Sequence, residues 1–462
     1  MIIMKFGGSS VEAAPAIERV VEIVRARLAR RPVVVVSAMG KTTRRLLEIG
    51  DAAARGDLGQ AHEMVDELRE LHARAAEAVT AEPDRARLDA ALAGRFGELR
   101  RTVSEIVAAR ALAPRLADEV AAYGELLASE ILTLALRRGG LDAAFLDCRT
   151  LIVTDDRFTR AEPLYEATDE RLRAAVLPLV AEGRVPVLGG YVGATPEGVT
   201  TTLGREGSDF TAAIVGAALD AEEVQIWTDV DGMLTTDPRL VPAARLIRTL
   251  SFAEALELAS AGAKVLHPGT LGPAGRKGLP VRILSSRRPV DPSRDSDNGA
   301  GTLIGRRGAA PPHVKSIAFR RNAYLLRATA EDGAGAAVRE TAGRLGPAVL
   351  WLGEHEGAAL LALDRADRLP EVLDQLLQVA RVEVLAGRPV VSLVSEDLTD
   401  GGALAAATLD AAAAAGAADA RLVADGTACA AVRILAEEED VARLVTRLHQ
   451  ELFDGPAGEA VP

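Results

Sequence analysis

At 462 residues the chain is too long for one ordinary hydrophobic core, so we expect two or three domains. Its net charge of -12 repels nucleic acid and anionic membranes over most of the surface, and 3% aromatic content disfavours a base-stacking surface. Any bound anion must therefore be held by cations gathered locally.

The N-terminal stretch MIIMKF runs directly into paired glycines without the apolar core of a signal peptide, and no apolar stretch approaches about 18 residues. Cys148 and Cys429 lie far apart in the sequence, which supplies neither a disulfide framework nor a zinc site. Both are expected to be buried thiols. These features predict a cytoplasmic protein.

The chain opens with a β-α-β pattern. Ile2 to Phe6 and Val33 to Val36 have the apolar composition of buried strands, and apolar residues at helical spacing lie between them. Helical periodicity follows over about Gln60 to Thr80, Leu88 to Arg110 and Leu116 to Arg138, which predicts a helical subdomain beside a substrate site.

Strand and helix signals then alternate. Strands are predicted over Ala144 to Asp147, Val185 to Leu188 and Val224 to Thr228, with helices before Gly183 and up to Leu219. This alternation is typical of an α/β domain with a largely parallel sheet between helices.

A Gly/Pro-rich stretch at 306–312 predicts a linker between domain 1–305 and a second region, 313–462. In that region strands are predicted over Tyr324 to Ala328, Ala358 to Leu363, Val390 to Val394 and Cys429 to Leu435. A helix is predicted from about Gly335 to Leu345, and an alanine-rich helix separates the last two strands. The length fits two small α+β modules.

The stretch KFGGSSV, starting at Lys5, lies between a strand and a helix. Paired glycines let the backbone approach a ligand, the helix N-terminus favours anions, and Lys5 adds a full charge. The later stretch SAMGKTT ends like a Walker A loop, but Val35 stands where that loop needs its first glycine, so a P-loop is disfavoured.

Further polar loops follow the predicted strands. TLGREGSDF, Thr202 to Phe210, combines Arg205, Ser208 and Asp209, and arginine suits carboxylates because its planar fork makes two parallel hydrogen bonds. WTDVDGMLTTDPR starts at Trp227; its DVDG fails as a calcium loop because Leu240 stands at the twelfth position.

Two more stretches supply charged residues. YGELLAS places Glu125 on a helical pattern, and GAKVLHP contains Lys264 and His267. Each of the three has a structural alternative: Glu125 as solvated helix surface, Lys264 as an ordinary surface charge, His267 as a satisfied core or loop histidine. Together, the lysines, the arginine and the glycine turns indicate phosphate positioning more than acid/base or nucleophilic chemistry. The histidines show no metal-ligand spacing.

With these motifs in this order, the chain resembles the aspartate kinases of the amino-acid kinase superfamily. KFGGSSV is similar to the family's KFGGTSV, TLGREGSD to its TLGRGGSD, and SAMGKTT, YGELLAS, WTDVDGMLTTDPR and GAKVLHP complete the set. The resemblance implies a carbamate-kinase-like α/β sandwich with a mostly parallel central sheet, followed by two ferredoxin-like α+β ACT modules. It also implies transfer of phosphate from ATP, with Mg²⁺, to the side-chain carboxylate of L-aspartate, opening lysine, threonine and methionine biosynthesis.

The resemblance assigns the nucleotide to three groups of residues. Lys5 and Lys264 would neutralise the phosphates, and Asp209 would orient the two lysines. Mg²⁺ would be held mainly by the phosphates, without metal ligands from the protein. Gly7, Gly8 and Ser9 would donate from backbone or hydroxyl. The remaining residues assigned to the nucleotide are Thr228, Asp229, Arg239 and Val265.

The resemblance likewise implies the aspartate contacts. Arg205 would hold the α-carboxylate and Glu125 the ammonium, while Ser37 and Thr43 would bind the side-chain carboxylate and Ser208 would complete the set. SAMGKTT is then the second loop of such a kinase. Two departures qualify the match: Glu206 replaces a common glycine, either competing for Arg205 or pointing to solvent, and Leu234 replaces a common tyrosine near the nucleotide.

The region after His313 resembles paired ACT modules, through VKSIAFRRNAYLL and VTRLHQELF. The family's usual effector stretches instead read LGEHEGAALLAL and ADGTACAAVRIL. Two roles stay open: sensing of lysine or threonine, or dimerisation alone, with a homodimer or higher homo-oligomer expected through this region. A non-catalytic sensor and a kinase for a related acidic substrate are the competing functions. At this length no fused homoserine dehydrogenase is expected.

Overall fold

The structure is a computed structural model, and it describes residues 1–79, 84–204, 206–263, 268–288, 300–305, 313–330, 335–345, 349–355, 357–363, 368–385, 387–398, 403–417, 420–423 and 430–454. The described strands are β1 (Ile2–Phe6), β2 (Pro32–Val36), β3 (Ala143–Leu146), β4 (Val185–Gly189), β5 (Val192–Ala194), β6 (Thr200–Thr202), β7 (Glu223–Thr228), β8 (Thr249–Ser251), β9 (Val281–Ser285), β10 (Thr302–Gly305), β11 (Ser316–Thr329), β12 (Val349–His355), β13 (Ala358–Leu363), β14 (Arg381–Val384), β15 (Arg388–Ser395), β16 (Arg421–Val423) and β17 (Ala430–Leu435). The described α-helices are α1 (Ala14–Arg25), α2 (Thr42–Ala54), α3 (Leu58–Val79), α4 (Asp84–Ala109), α5 (Pro114–Arg138), α6 (Tyr165–Ala181), α7 (Gly207–Ala218), α8 (Phe252–Ser260), α9 (Pro268–Lys277), α10 (Gly335–Arg344), α11 (Leu369–Leu376), α12 (Ala403–Ala414) and α13 (Val441–His449).

The first of two compact units comprises Met1–Asp231 and Gly269–Gly301. Its sheet runs in the order β3-β4-β2-β1-β7-β9, and every neighbouring pair is parallel. Side chains alternate along β1, so Ile2 and Phe6 face the core shared with α1 to α5, while Ile3 faces α7. Because both faces are covered, β1 is fully buried, as its apolar sequence predicts.

The predicted helical subdomain is confirmed. Helices α3, α4 and α5 pack against one another and against α2, and each begins and ends within a few residues of the predicted bounds. Their buried side chains recur at helical spacing, as in Leu88, Leu92, Phe96 and Leu99 of α4. Cys148 is buried as expected, and Cys429 lies outside the described residues.

The second unit comprises Gly232–Pro268 and Thr302–Pro462. Strand β11 spans two antiparallel modules: its second half pairs with β13 and β14, and its first half pairs mainly with β15. An irregularity between Arg320 and Ala323 separates the halves. Helices α10 and α11 belong to the first module, and α12 and α13 to the second. Two α+β modules are therefore confirmed.

The structure adds a feature that the sequence did not predict: Gly232–Pro268 is grouped with the C-terminal modules. The predicted linker 306–312 lies outside the described residues, so the division at that point stays a prediction. Of the helices in the described ranges, none combines the length and the apolar character that crossing a membrane requires.

Candidate active site

The candidate site lies where parallel strands of the first unit end. Phe6 on β1 pairs with Val36 on β2 and with Trp227 on β7, and Val36 pairs with Gly189 on β4. The polar loops that follow these strands therefore start at the same edge of the sheet. Ligands of open α/β sheets bind at this edge.

The first two loops are joined through their backbones. The N–H of Ser37 donates to the Phe6 carbonyl at 3.0 Å, and the N–H of Gly40 donates to the Gly8 carbonyl at 3.0 Å. A Cβ atom at Gly8 would lie 2.8 Å from the carbonyl oxygen of Ala38 and 2.9 Å from that of Gly40. Glycine is required here because another backbone occupies the space of a side chain.

A buried ion pair lies beside this turn. The Lys5 Nζ is 2.6 Å from Oδ1 of Asp209, and their side chains are only 10% and 9% exposed. Lys5 comes from the central strand and Asp209 from the first turn of α7. A Cβ atom at Gly7 would lie 3.6 Å from the Lys5 Nζ, so the ammonium borders the glycine turn. A fixed cation is thereby presented next to backbone donors.

Glu125 is not on the solvated surface of α5, because the residue is only 3% exposed. Its carboxylate accepts a hydrogen bond from the backbone N–H of Ala38, and the positive charge of Lys5 also acts on it. Burial outweighs both and raises its pKa to about 8. Within the described parts of the chain, Oε2 has no hydrogen-bond partner. A buried, incompletely satisfied carboxylate suits a cationic ligand group.

Helix α7 begins at a strained residue. Glu206, the residue before its first turn, has φ 54° and ψ 28°, in the left-handed region that glycine adopts freely. This conformation costs a non-glycine residue about 1–3 kcal/mol, which gives the physical reason for glycine at this point of the motif. Arg205 lies outside the described residues.

Ser37 and Thr43 are both partly exposed, one after β2 and the other in the first turn of α2. Between them, Thr42 is buried, and its hydroxyl has no hydrogen-bond partner among the described residues. Thr42 belongs to the quoted SAMGKTT motif, yet the sequence analysis did not single it out. Its burial against α5, where Gly124 approaches it, depends on tertiary packing.

The turn after β4 was also missed by the sequence analysis. A Cβ atom at Gly189 would lie 3.1 Å from the Glu125 Cβ, and one at Gly190 would lie 2.6 Å from the Ser208 Cα. Tyr191 donates its N–H to the Thr211 hydroxyl at 2.9 Å. The sequence Gly-Gly-Tyr after a predicted strand could have indicated this turn, which packs against both Glu125 and α7.

The loop after β7 is more open. The Thr228 hydroxyl donates to Asp229 Oδ1 at 3.3 Å, and Asp229 lies 3.4 Å from Arg287, which follows β9. Ser9 is partly exposed, whereas Ser10 is buried with its hydroxyl 2.7 Å from that of Ser286. The loops after β1 and β7 are therefore both anchored to the turn after β9.

Some predicted site residues lie outside the described part of the first unit. Arg239 belongs to the second unit, is largely exposed, and makes a bidentate pair with Asp237, with a closest distance of 2.5 Å. Lys264 and Val265 lie outside the described residues. Among the residues that are described, no group of three or more His, Cys, Asp or Glu side chains is arranged to hold a metal ion.

Replacing Gly190 with alanine is expected to displace the first turn of α7, because the new Cβ would overlap backbone and side-chain atoms of Ser208. Overpacking of this kind costs about 1–3 kcal/mol. We expect kcat/KM to fall at least tenfold. The melting temperature is measured alongside it. Gly94→Ala on α4 is the control, since nothing lies within 4 Å of its Cβ. Unchanged kinetics in Gly190→Ala would contradict the role of this contact.

Comparison with known families identifies relatives along the whole chain. The model of the "Amino acid kinase family" matches residues 1–285. Lysine-sensitive aspartokinase 3 of Escherichia coli (strain K12) is 33% identical over 477 residues, covering 98% of this chain and 99% of that protein. The chloroplastic aspartokinase 2 of Arabidopsis thaliana is 33% identical over 414 residues, covering 85% of this chain and 73% of the relative.

Solved structures give the same result. The chain is similar to E. coli aspartokinase III in complex with aspartate and ADP (R-state), with a TM-score of 0.79 and 32% identity, covering 98% of this chain and all of that one. The same enzyme in complex with lysine and aspartate (T-state) gives a TM-score of 0.74 at 32% identity, covering 98% and 99%.

Proposed function

The chain belongs to the aspartokinases of the amino acid kinase family, and from this premise we propose which of its residues carry the reaction. The enzyme transfers a phosphoryl group from ATP to the side-chain carboxylate of L-aspartate and forms 4-phospho-L-aspartate. This is the first step towards lysine, threonine and methionine.

The reaction needs no general base, because a carboxylate with an ordinary pKa of about 4 is already ionised at pH 7. Its difficulty is electrostatic: two anions must approach each other, and charge spreads over the phosphoryl group in transfer. The single observation that best supports the proposal is the buried pair of Lys5 and Asp209 beside the glycine turn.

The phosphates of ATP are assigned to the glycine turn. Lys5 neutralises them from one side, while Asp209 keeps its ammonium fixed, so little reorganisation is needed during transfer. Gly7, Gly8 and Ser9 donate hydrogen bonds from the backbone or hydroxyl. Lys264 adds a second positive charge. Asp209 is assigned the role of orienting both lysines.

The rest of the nucleotide is assigned to residues from several motifs: Thr228, Asp229, Arg239 and Val265. Arg239 would have to exchange its Asp237 partner for the nucleotide, which its exposure allows. Mg²⁺, when bound with ATP, would supply further positive charge and would be held mainly by the phosphate oxygens. The donors at the glycine turn, a lysine and backbone N–H groups, fit phosphate and are unsuited to the metal itself.

Aspartate is assigned to the side of Lys5 opposite the ATP phosphates. Glu125 binds the substrate ammonium, which would satisfy the Oε2 atom left without a partner, and so excludes acids that lack an amino group. Arg205 holds the α-carboxylate through its planar fork. Ser37, Thr43 and Ser208 hold the side-chain carboxylate by hydrogen bonds and keep it aimed at the γ-phosphate.

The C-terminal modules are assigned regulation or assembly. The E. coli relative has been solved in complex with lysine and aspartate, so lysine, with threonine as the alternative, is the effector class to test. Dimerisation through these modules is the other role, and a cyclic two-fold homodimer is the commonest oligomer. We propose a cytoplasmic location for the enzyme.

A hydroxamate assay tests the assignment. Purified protein is incubated with L-aspartate, Mg-ATP and hydroxylamine, which traps an acyl phosphate, with and without millimolar lysine or threonine. Aspartyl hydroxamate is the expected product, and its suppression by one amino acid would identify the effector. Turnover of another acidic amino acid instead of aspartate would identify that amino acid as the substrate. ATP binding without any product would favour the alternative of a non-catalytic sensor. The left-handed backbone conformation of Glu206 is a second observation in favour of that alternative.

The raised pKa of Glu125 predicts a pH dependence of aspartate use. In the free enzyme its pKa is about 8, so the carboxyl is mostly protonated at pH 7 and must lose a proton before it can bind an ammonium. Each pH unit below about 8 should therefore lower kcat/KM for aspartate about tenfold, with a plateau above. The profile is measured from pH 6 to 9 at saturating Mg-ATP. A flat profile between pH 6.5 and 8 would contradict the assignment.

A further inference from the structure

The segment 202–208, within the TLGREGSD motif, contains one strained residue and borders two more. Thr159 and Tyr191 have φ angles of 70° and 65°, in the left-handed region that residues other than glycine rarely adopt. The Tyr191 carbonyl accepts the N–H of Leu203 at 2.9 Å. A Cβ atom at Gly204 would lie 3.2 Å from the Thr159 carbonyl oxygen. Strained residues persist only where surrounding contacts fix them, and they cluster at functional sites.

The carboxylate of Asp118, near the start of α5, joins the turn at Thr159 to the start of this segment. Its Oδ2 accepts the N–H of Thr159 at 2.8 Å and the N–H of Thr202 at 3.0 Å. Its Oδ1 accepts the Thr202 hydroxyl at 2.6 Å. The Thr202 carbonyl in turn accepts the N–H of Ala161 at 2.9 Å. All three polar groups of Thr202 are therefore held by other segments.

Burial makes the bonds of Asp118 hard to replace, because Asp118 and Thr202 are only 1% and 0% exposed. Burial raises the pKa of Asp118, while the hydrogen bonds from Thr202 and Thr159 oppose that shift by favouring the ionised form. Without the carboxylate, two backbone N–H groups would lose their acceptor, and one of them is buried. A buried donor without a partner carries the cost of its desolvation. The turn at Thr159 would also lose the contact that offsets its strained backbone.

The segment held by Asp118 borders two residues assigned to aspartate. Glu125 follows Asp118 on the same face of α5, two helical turns later. Burial raises the pKa of the Tyr191 phenol to about 12, and the charges of Glu125 and Asp118 add to this shift, so the phenol lies near both carboxylates. Ser208 ends the segment and packs against Gly190, the residue before Tyr191. The segment therefore runs from the Asp118 carboxylate to the proposed aspartate site.

We propose that Asp118 is a positioning residue for aspartate binding: it fixes the start of the segment 202–208, whose other end carries Ser208. Asp118 acts through Thr202 and Thr159 and does not itself touch the substrate. This inference rests on the aspartate roles proposed for Ser208 and Glu125. It predicts that loss of the carboxylate weakens aspartate binding. Binding of Mg-ADP should stay largely unchanged, because the glycine turn follows a different strand.

The test compares Asp118→Ala and Asp118→Asn with the wild-type protein. Asparagine can still accept both N–H groups through one oxygen, whereas alanine offers no acceptor. The readouts are the Kd values for L-aspartate and Mg-ADP by titration calorimetry, the KM for aspartate and the melting temperature. We expect Asp118→Ala to raise Kd and KM for aspartate about tenfold and Asp118→Asn at most about threefold. The Kd for Mg-ADP should stay within about twofold in both.

Thr159→Gly tests the strained turn itself. Glycine adopts a φ of 70° freely, and the Thr159 side chain is exposed, so this change removes strain without removing a buried contact. Combined with Asp118→Ala, it should bring the Kd for aspartate back to within about threefold of the wild-type value, because the turn then needs less support. No recovery in the double variant would show that the turn does not hold the segment and would overturn the proposal.

Glu130→Ala is the matched control, because it also removes a buried carboxylate from α5. Equal rises of the aspartate Kd in Glu130→Ala and Asp118→Ala would overturn the proposal. A lower melting temperature of Asp118→Ala with unchanged Kd would mean that Asp118 is only structural, which also overturns it. Should Asp118→Ala not fold, Thr202→Val removes the hydroxyl bond alone and should raise the Kd about threefold. A wild-type Kd in that folded variant would likewise refute the role of Asp118.

The titrations separate this inference from the proposed function. A wild-type protein that binds aspartate but makes no aspartyl hydroxamate would refute the kinase assignment, whereas the Kd values of the variants would still decide the role of Asp118. A wild-type protein that makes the hydroxamate, with Asp118→Ala binding aspartate normally, would refute the inference alone. A wild-type protein that binds no aspartate would overturn both.

Discussion

Replacement of Lys5 by alanine is expected to lower kcat by about 10²- to 10³-fold, the usual effect of removing one preorganised group that stabilises transition-state charge. The ammonium of Lys5 lies at the end of the central strand, 2.6 Å from Asp209 and next to the glycine turn. Water that enters in its place cannot supply a fixed positive charge. The loss is measured by the hydroxamate assay at saturating aspartate and Mg-ATP.

Folding must be separated from chemistry in this experiment, because Lys5→Ala leaves Asp209 buried without its cation. Breaking a buried pair in this way costs about 3–5 kcal/mol. The double variant Lys5→Met/Asp209→Asn removes both charges and keeps most of the volume. It should fold and remain as inactive as the single variant, since the two residues act as a unit. Near-wild-type turnover in either variant would refute the phosphate role of Lys5.

The second large effect is expected from Glu125→Gln. Glutamine keeps the shape and can still accept the N–H of Ala38, but it loses the charge offered to the substrate ammonium. Hydrogen bonds to charged groups contribute about 1.5–3 kcal/mol, so KM for aspartate should rise about 10- to 100-fold. KM for Mg-ATP should stay within twofold. The rise of kcat/KM towards pH 8 should also disappear.

Glu130→Gln is the matched control for this variant. Glu130 lies on the same helix, is also buried, and has a pKa raised chiefly by burial. Its carboxylate accepts a hydrogen bond from Arg95 at 3.1 Å and is assigned no contact with substrate. Equal increases of KM for aspartate in both variants would show that α5 responds to any lost buried charge, and Glu125 would lose its specific role.

Much of the fold follows from local sequence patterns. The bounds of β1 and β13 agree with the predicted strands, and α3, α4 and α5 lie where apolar residues recur at helical spacing. The glycine turn after β1 was also predictable, because a short apolar strand, paired glycines and a helix follow one another directly. Such signals depend on neighbours in the sequence, so they can be recognised without knowledge of the rest of the chain.

Other features depend on contacts between distant residues. The sequence could not show that Glu125 is buried against Gly189, or that Gly190 lies against Ser208, because these contacts join separate loops. Nor could it show that Arg239 pairs with Asp237, while the role of Arg239 at the nucleotide stays a prediction. Side-chain partners of this kind depend on which loops pack together, and the local spacing of residues does not predict that packing.

The sequence by itself therefore determined the opening β-α-β order, the helical subdomain, the two α+β modules and the set of motifs, since each rests on spacing within a few residues. Only the tertiary structure decided that Gly232–Pro268 is grouped with the C-terminal modules and that Arg433 contacts Glu257. The burial that raises the pKa of Glu125 was decided there as well. Burial and charge pairing arise from residues far apart in the chain, whose approach is set by packing of the whole core.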